Sequence, residues 1–151
     1  MGERGIVGQY ETGLNNTSLG FTHIDVGVPA QCKGILRTVD VHVQSGSGNV
    51  YVKIFRDDGV NYVYINGVSI TGLSAGSNLA IPLSTPIDIE KDDLIGFYSA
   101  DTKLTAKTPT SYDLMLKVGN ITTTTLKSGW GSYAWNFCLR GHIFKRGGII
   151  L

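Results

Sequence analysis

The sequence predicts an all-β protein, an antiparallel sandwich or barrel of about eight strands, and three observations carry that prediction. Ile35, Val39, Val41 and Val43 share one parity, interrupted only by Arg37, while Leu36, Thr38, Asp40, His42 and Gln44 fill the other. After a glycine-rich turn, Val50, Val52 and Ile54 alternate with Tyr51, Lys53 and Phe55. Successive side chains leave a strand on opposite sides, so a period of two means one buried face and one available face. Twenty glycines mark frequent turns, and no window sustains the 3.6-residue apolar period of a helix.

Taken in order, residues 1–20 are rich in Gly and Asn and read as an N-terminal arm, with residues 9–12 its one strand-like stretch. Residues 21–26 form the first strand, ended by Gly27 and Pro29. Residues 35–44 and 50–56 form a hairpin around Ser45-Gly46-Ser47-Gly48-Asn49. Asp57-Asp58-Gly59 turns the chain into residues 61–68, where Tyr62 and Tyr64 oppose Val63 and Ile65. Leu79, Ile81 and Leu83 alternate next, and Pro82, which lacks a ladder N–H, suggests an edge strand or a strand end. Ile87-Asp88-Ile89 leads through the polar turn Glu90-Lys91-Asp92-Asp93 into residues 94–99. Residues 101–113 read as a long polar loop. Residues 114–118 and, more weakly, 122–126 are strands, and residues 135–144 close the fold with Trp135, Phe137, Leu139 and Ile143 on one parity.

The composition narrows the function classes. A chain of 151 residues and 16.2 kDa is expected to be one domain. Thirteen basic and twelve acidic residues leave a net charge of +1, and no basic stripe appears, so no nucleic-acid partner is expected. The first residues lack the apolar core of a signal peptide, and no apolar run reaches the roughly 18 residues of a membrane span. The expectation is a protein made in the cytoplasm with no membrane partner. Cys32 and Cys138 either pair across the first and last strands or stay separate thiols, and a reducing compartment favours the second.

Ile87-Asp88-Ile89, the tight acidic turn, Leu94-Ile95-Gly96-Phe97 and the closing aromatic strand from Phe137 to Phe144 carry a resemblance. Over roughly residues 20–146 the layout resembles the jelly roll of trimeric C1q/tumour-necrosis-factor-like heads and of phage decoration and fibre-head domains. Members of those families often carry Gly-Asp where this chain has Asp92-Asp93. The resemblance implies a jelly-roll sandwich over residues 21–146, beside the N-terminal arm over 1–20 and the apolar C-terminal tail over 147–151 that the residues themselves suggest. It also implies a homotrimer with a structural or binding role, and it carries over no catalytic residue.

Chemistry-bearing residues are sparse. His23, His42 and His142 are scattered over three strands, without the spacing of a metal site. Asp57-Asp58 and Asp92-Asp93 are adjacent turn residues, not carboxylates facing each other across a cleft. No phosphate loop or nucleophile elbow occurs, so no catalytic residue, cofactor or metal is expected. An enzyme of cupin or lyase type ranks third among the readings.

The first reading is a capsid decoration or cement protein on a phage head, located on the virion surface and bound to the major capsid or another virion protein. It is non-enzymatic and grips through its ends. Ile6, Val7 and Tyr10 in the arm and Ile149, Ile150 and Leu151 after the Gly147-Gly148 joint are the expected subunit or capsid contacts. The second reading is a carbohydrate-binding module or receptor-binding head. Its expected platform is Tyr62, Tyr64, Trp130 and Tyr133, since exposed rings stack on flat apolar ligand faces. Trp135, which opens the buried parity, is expected in the core.

Overall fold

The computed structural model describes residues 2–13, 15–107 and 114–145. Its strands are β1 (Glu3–Gln9), β2 (Asn15–Asn16), β3 (Phe21–Asp25), β4 (Gly34–Gly46) and β5 (Val50–Asp57). They continue with β6 (Asn61–Ile70), β7 (Gly76–Ile89), β8 (Leu94–Tyr98), β9 (Thr102–Lys107) and β10 (Leu114–Val118). The last are β11 (Thr125–Leu126), β12 (Gly131–Tyr133), β13 (Asn136–Phe137) and β14 (Leu139–Phe144). A single 3-10 turn, Lys127–Gly129, is the one helical element among the described residues. All pairings between strands are antiparallel, and they make two sheets.

In the first sheet β4 is the spine. It pairs with β7 along one edge, and with β14 and then β9 along the other, while β1 lies outside β14. The second sheet runs β11-β6-β5-β8-β3-β10-β12. The core lies between the sheets. Leu36, Val39, Val41, Phe137, Leu139 and Ile143 from the first sheet meet Val52, Ile54, Ile95 and Phe97 from the second, all without solvent exposure. His23 joins them from β3. Its ring stacks on Phe97 at 4.5 Å and 5° and meets Phe137 edge-on at 6.1 Å. Burial pulls the His23 pKa down to about 4, against a hydrogen bond to the Phe21 carbonyl, so the ring is a neutral core aromatic.

Arg37, the interruption in the alternation of β4, is a bulge. The ladders to β7 and to β14 both skip it, passing from Leu36 to Thr38. One extra residue reverses the parity. Leu36 therefore points into the core with Val39, Val41 and Val43, while Ile35 is half-buried and Arg37 exposed.

Several expectations need correction. The described part of residues 1–20 is not a free arm: β1 pairs with β14, and β2 with β9, because the alternation of Gly5 and Val7 against Ile6 fits the open edge of β14. Val7 is fully buried and Ile6 half-buried. Tyr10 hydrogen-bonds Ser77 Oγ at 2.7 Å and lies 5.5 Å from the Arg140 guanidinium. All three serve their own sandwich. The two short strands expected around Pro82 are one bulged strand, β7, and Pro82 does lie on an edge strand of its sheet. The expected loop 101–113 contains β9. Cys32 and Cys138 need no correction: both are free, the favoured of the two alternatives. The tail residues Ile149, Ile150 and Leu151 lie outside the described residues.

A charged cluster ties β1 to the first sheet on its outer face. Asp40 of β4, nearly buried, accepts from Arg140 Nη2 at 2.7 Å, from His142 Nε2 at 2.6 Å and from the Ala80 N–H at 2.8 Å. Glu3 of β1 reaches His142 Nδ1 at 2.9 Å. The Ala80 N–H bond pins a β7 bulge in which Ala80 has φ 52, a left-handed conformation that costs a non-glycine residue energy. Burial would raise the Asp40 pKa, but the Ala80 N–H, Arg140 and His142 together hold it below the usual value. For His142, burial would lower the pKa, and the Glu3 and Asp40 carboxylates outweigh it and raise it.

Two outcomes follow from this packing. Phe137→Ala should cost about 3–5 kcal/mol in urea unfolding, the range for emptying a large core aromatic site. Because the His142 pKa is raised above 6.5 in the folded protein, its contribution is complete below pH 6.5 and is lost as pH climbs through the folded value. Wild-type stability should therefore fall across that interval relative to His142→Gln, measured by denaturation at a series of pH values.

Candidate functional site

The outer face of the second sheet carries the most unusual side-chain arrangement, and it begins with backbone. Lys53 on β5 pairs with Gly67 of β6 on one side and with Gly96 of β8 on the other. A Cβ at Gly67 would sit 2.6 Å from the Tyr64 hydroxyl and 2.7 Å from the Tyr51 ring, so only glycine leaves room for both tyrosines to close over it. Lys53 lies under them, its Nζ 4.6 Å from the Tyr51 ring centre and 5.6 Å from that of Tyr64. The chain after β10 folds back over this face. Nζ donates to Asn120 Oδ1 and to the Ile121 carbonyl, and Lys53 has no solvent exposure. Burial pushes its pKa down to about 8 from the ordinary 10.5. Burial, and then a hydrogen bond to Tyr51, pushes Tyr64 up to about 12.

Beside this lysine a groove of about 340 Å³ opens at the end of the sheet. Tyr51 and Tyr98, directly opposite each other on β5 and β8, line it with Ser69, Thr71, Asp101 and Asn120. Its wall is set by a buried hydroxyl network. Thr102 Oγ1 accepts from the Gly48 N–H at 2.8 Å and the Asn49 N–H at 3.0 Å, and Ser99 Oγ donates to the Asn49 carbonyl at 2.7 Å. Gly48 has φ 88, and a Cβ there would strike the Leu73 carbonyl oxygen at 2.2 Å. The turns between β4 and β5 and between β8 and β9 are thereby locked to each other.

The aromatic platform expected from the sequence is not at this groove, and it is not a platform. Trp130 is buried, donates from Nε1 to Thr125 Oγ1 at 2.9 Å, and meets Phe55 and Tyr62 edge-on at 5.9 and 5.5 Å. Tyr62 is buried with it, and Tyr64 packs edge-on against Phe55 at 5.6 Å. These rings form a second, smaller core where β11 and the 3-10 turn cover the sheet. The apolar faces expected to stack on a ligand are spent on each other. Tyr133 is half exposed and stands apart, beside Trp135 in a pocket of about 220 Å³ with Phe21, His23, Leu114 and Leu116. Trp135 packs half-buried against the main core.

The remaining polar candidates resolve as structure. Asp57 accepts from the Gly59 N–H, and Asp58 from the Val60 and Asn61 N–H groups, as turn carboxylates do. Asp93 is buried and takes a two-pronged bond from Arg56 at 2.7 and 2.9 Å, which ties the acidic turn to β5. His23, His42 and His142 do not converge, and among the described residues no group of three or more His, Cys, Asp or Glu side chains is placed to hold a metal. No protein-family model, curated protein or solved structure matches the chain.

The buried lysine makes its own prediction. Its pKa is depressed on folding, so between about pH 8 and 10.5 the unfolded chain binds more protons than the folded one. Lys53 should therefore make the protein more stable as pH rises through that interval. Urea midpoints of wild type should rise there relative to Lys53→Met, which cannot titrate.

Proposed function

We propose that this chain is a jelly-roll structural protein of a virion, a decoration or cement protein on a phage head that acts as a homotrimer without a catalytic step. Strand order carries the reading. Setting aside the two- and three-residue strands, and also β9 and β10, which add to the sheets beside β4 and β3, the first sheet is β1-β14-β4-β7 and the second is β3-β8-β5-β6. Counted along the chain, those eight strands are ordered 1-8-3-6 and 2-7-4-5, the order of two interleaved Greek keys that a jelly roll has. This supports the resemblance to trimeric heads and phage decoration domains drawn from the strand pattern. Fold order alone bears on architecture, and the functional step rests on that resemblance.

The gripping surfaces differ from those expected. With Ile6, Val7 and Tyr10 engaged in their own sandwich, the available apolar groups are exposed side chains on the strands and on the turns beside them. Val60 and Leu126 flank the β6–β11 pair and are 62% and 58% exposed. Leu19 and Val118 flank the Gly20–Gly119 hydrogen bond, and Leu79 stands out from the β7 bulge. Burying such groups against neighbouring subunits gains about 25 cal/mol per Å² of apolar surface. Ile149 to Leu151 would add to this grip.

Light scattering coupled to size exclusion should give three times the 16.2 kDa chain mass, and Leu126→Asp with Val60→Asp should lower capsid occupancy. A monomer at micromolar concentration would remove the trimer. Capsid occupancy unchanged by the paired substitutions and by deletion of Ile149 to Leu151 would remove the grip.

A further inference from the structure

We infer that the groove between Tyr51, Tyr98 and Asn120 is a binding site for one neutral pyranose ring of a carbohydrate, because it sets an oriented amide donor beside a pair of tyrosines on rigid strands. The inference stands apart from the trimer reading and uses none of its surfaces.

Asn120 is the key residue. Lysine has only donors, so the Asn120 atom facing Lys53 Nζ is its oxygen, and the NH₂ group is turned away from the lysine. Asn120 also lines the groove, and with its oxygen engaged the NH₂ group is the donor it can offer a ligand there. A buried ammonium thus fixes the orientation of a surface amide that would otherwise rotate freely. The second acceptor on Nζ, the Ile121 carbonyl, holds the loop so that the amide stays in register with the sheet.

The groove floor is equally constrained. Tyr51 is held from behind by Lys53 and by its hydrogen bond with Tyr64. Tyr98 is opposite Tyr51 in the ladder and half-buried. Ser69 and Thr71 add hydroxyls to the lining, and Asp101, exposed and held in its charged form by hydrogen bonds from Ser47, Thr102, Ser99 and Asn49, adds a carboxylate. A pyranose offers an apolar C–H face and a rim of hydroxyls that both donate and accept. Tyrosine rings answer the face, and an amide with a carboxylate answers the rim. The volume of about 340 Å³ lies at the small end of ligand clefts, which limits the contact to about one ring. Asp101 and the lack of any cation among the lining residues disfavour acidic sugars.

The test is saturation-transfer NMR on the whole chain with the methyl glycosides of glucose, galactose, mannose and N-acetylglucosamine at millimolar concentration, and with glucuronic acid as the anionic comparison. Transfer is expected to at least one neutral glycoside and not to glucuronate. Tyr98→Ala should abolish it. Asn120→Asp keeps an oxygen for Lys53 while replacing the NH₂ donor, and should weaken binding at least tenfold while the amide spectrum stays folded. The inference is overturned if no neutral glycoside shows transfer, if glucuronate binds as well as they do, or if both folded variants bind as wild type does.

Discussion

Everything in this fold depends on the pairing of β4. Its thirteen residues hold β7 on one edge and β14 and β9 on the other, so the first sheet has no other continuous support. The bulge at Arg37 makes this possible. It lets Leu36 enter the core from the opposite parity, and fully burying each of Leu36, Val39, Val41 and Val43 contributes about 1.5–3 kcal/mol against the entropy of ordering the chain. Without the bulge the strand would place either Leu36 or the three valines in solvent. The first and last strands, β1 and β14, then lie side by side against this spine and close the sandwich.

The two outer faces deal with buried charge in opposite ways. On the first sheet Asp40 is surrounded by cations and an N–H donor, so the charged form is favoured and the cluster holds β1, β4, β7 and β14 to one another. On the second sheet Lys53 meets only neutral acceptors and ring faces, and burial outweighs them, so its pKa falls. The first arrangement adds cohesion to the sheet. The second costs stability at neutral pH, and the loop order it imposes on Asn120 and Ile121 is what it gives in return. A costly buried group that organises a groove is the form in which folds carry function against their own stability.

Much of this architecture was legible in the sequence. The strands from residue 21 to 70 and from 94 to 98 follow the alternation closely, and the parity of Phe137, Leu139 and Ile143 named the core of β14 and its neighbour. What escaped was any feature set by distant chain. Glu3–Gln9 has too many glycines to look like a strand, and it becomes one because β14 offers an unpaired edge. Lys53 sits on the polar parity of β5, which predicts exposure, and only the return of residues 119–130 over that face buries it. The same return buries Trp130, whose glycine neighbours had suggested an open ring. One local signal did exist: Gly67 and Gly96, each alone in an apolar strand, mark places where other groups approach closely.

The central claim is that β1 closes the sandwich within its own chain and that β4 is its most stable strand. Hydrogen–deuterium exchange, followed residue by residue at a concentration where the protein is monomeric, tests this most directly. The account predicts slowest exchange for the amides of β4 from Leu36 to Val43, with clear protection of the β1 amides of Val7 and Gln9. Exchange of the β1 amides at the rate of an unstructured chain, or greater protection elsewhere than in β4, would contradict it.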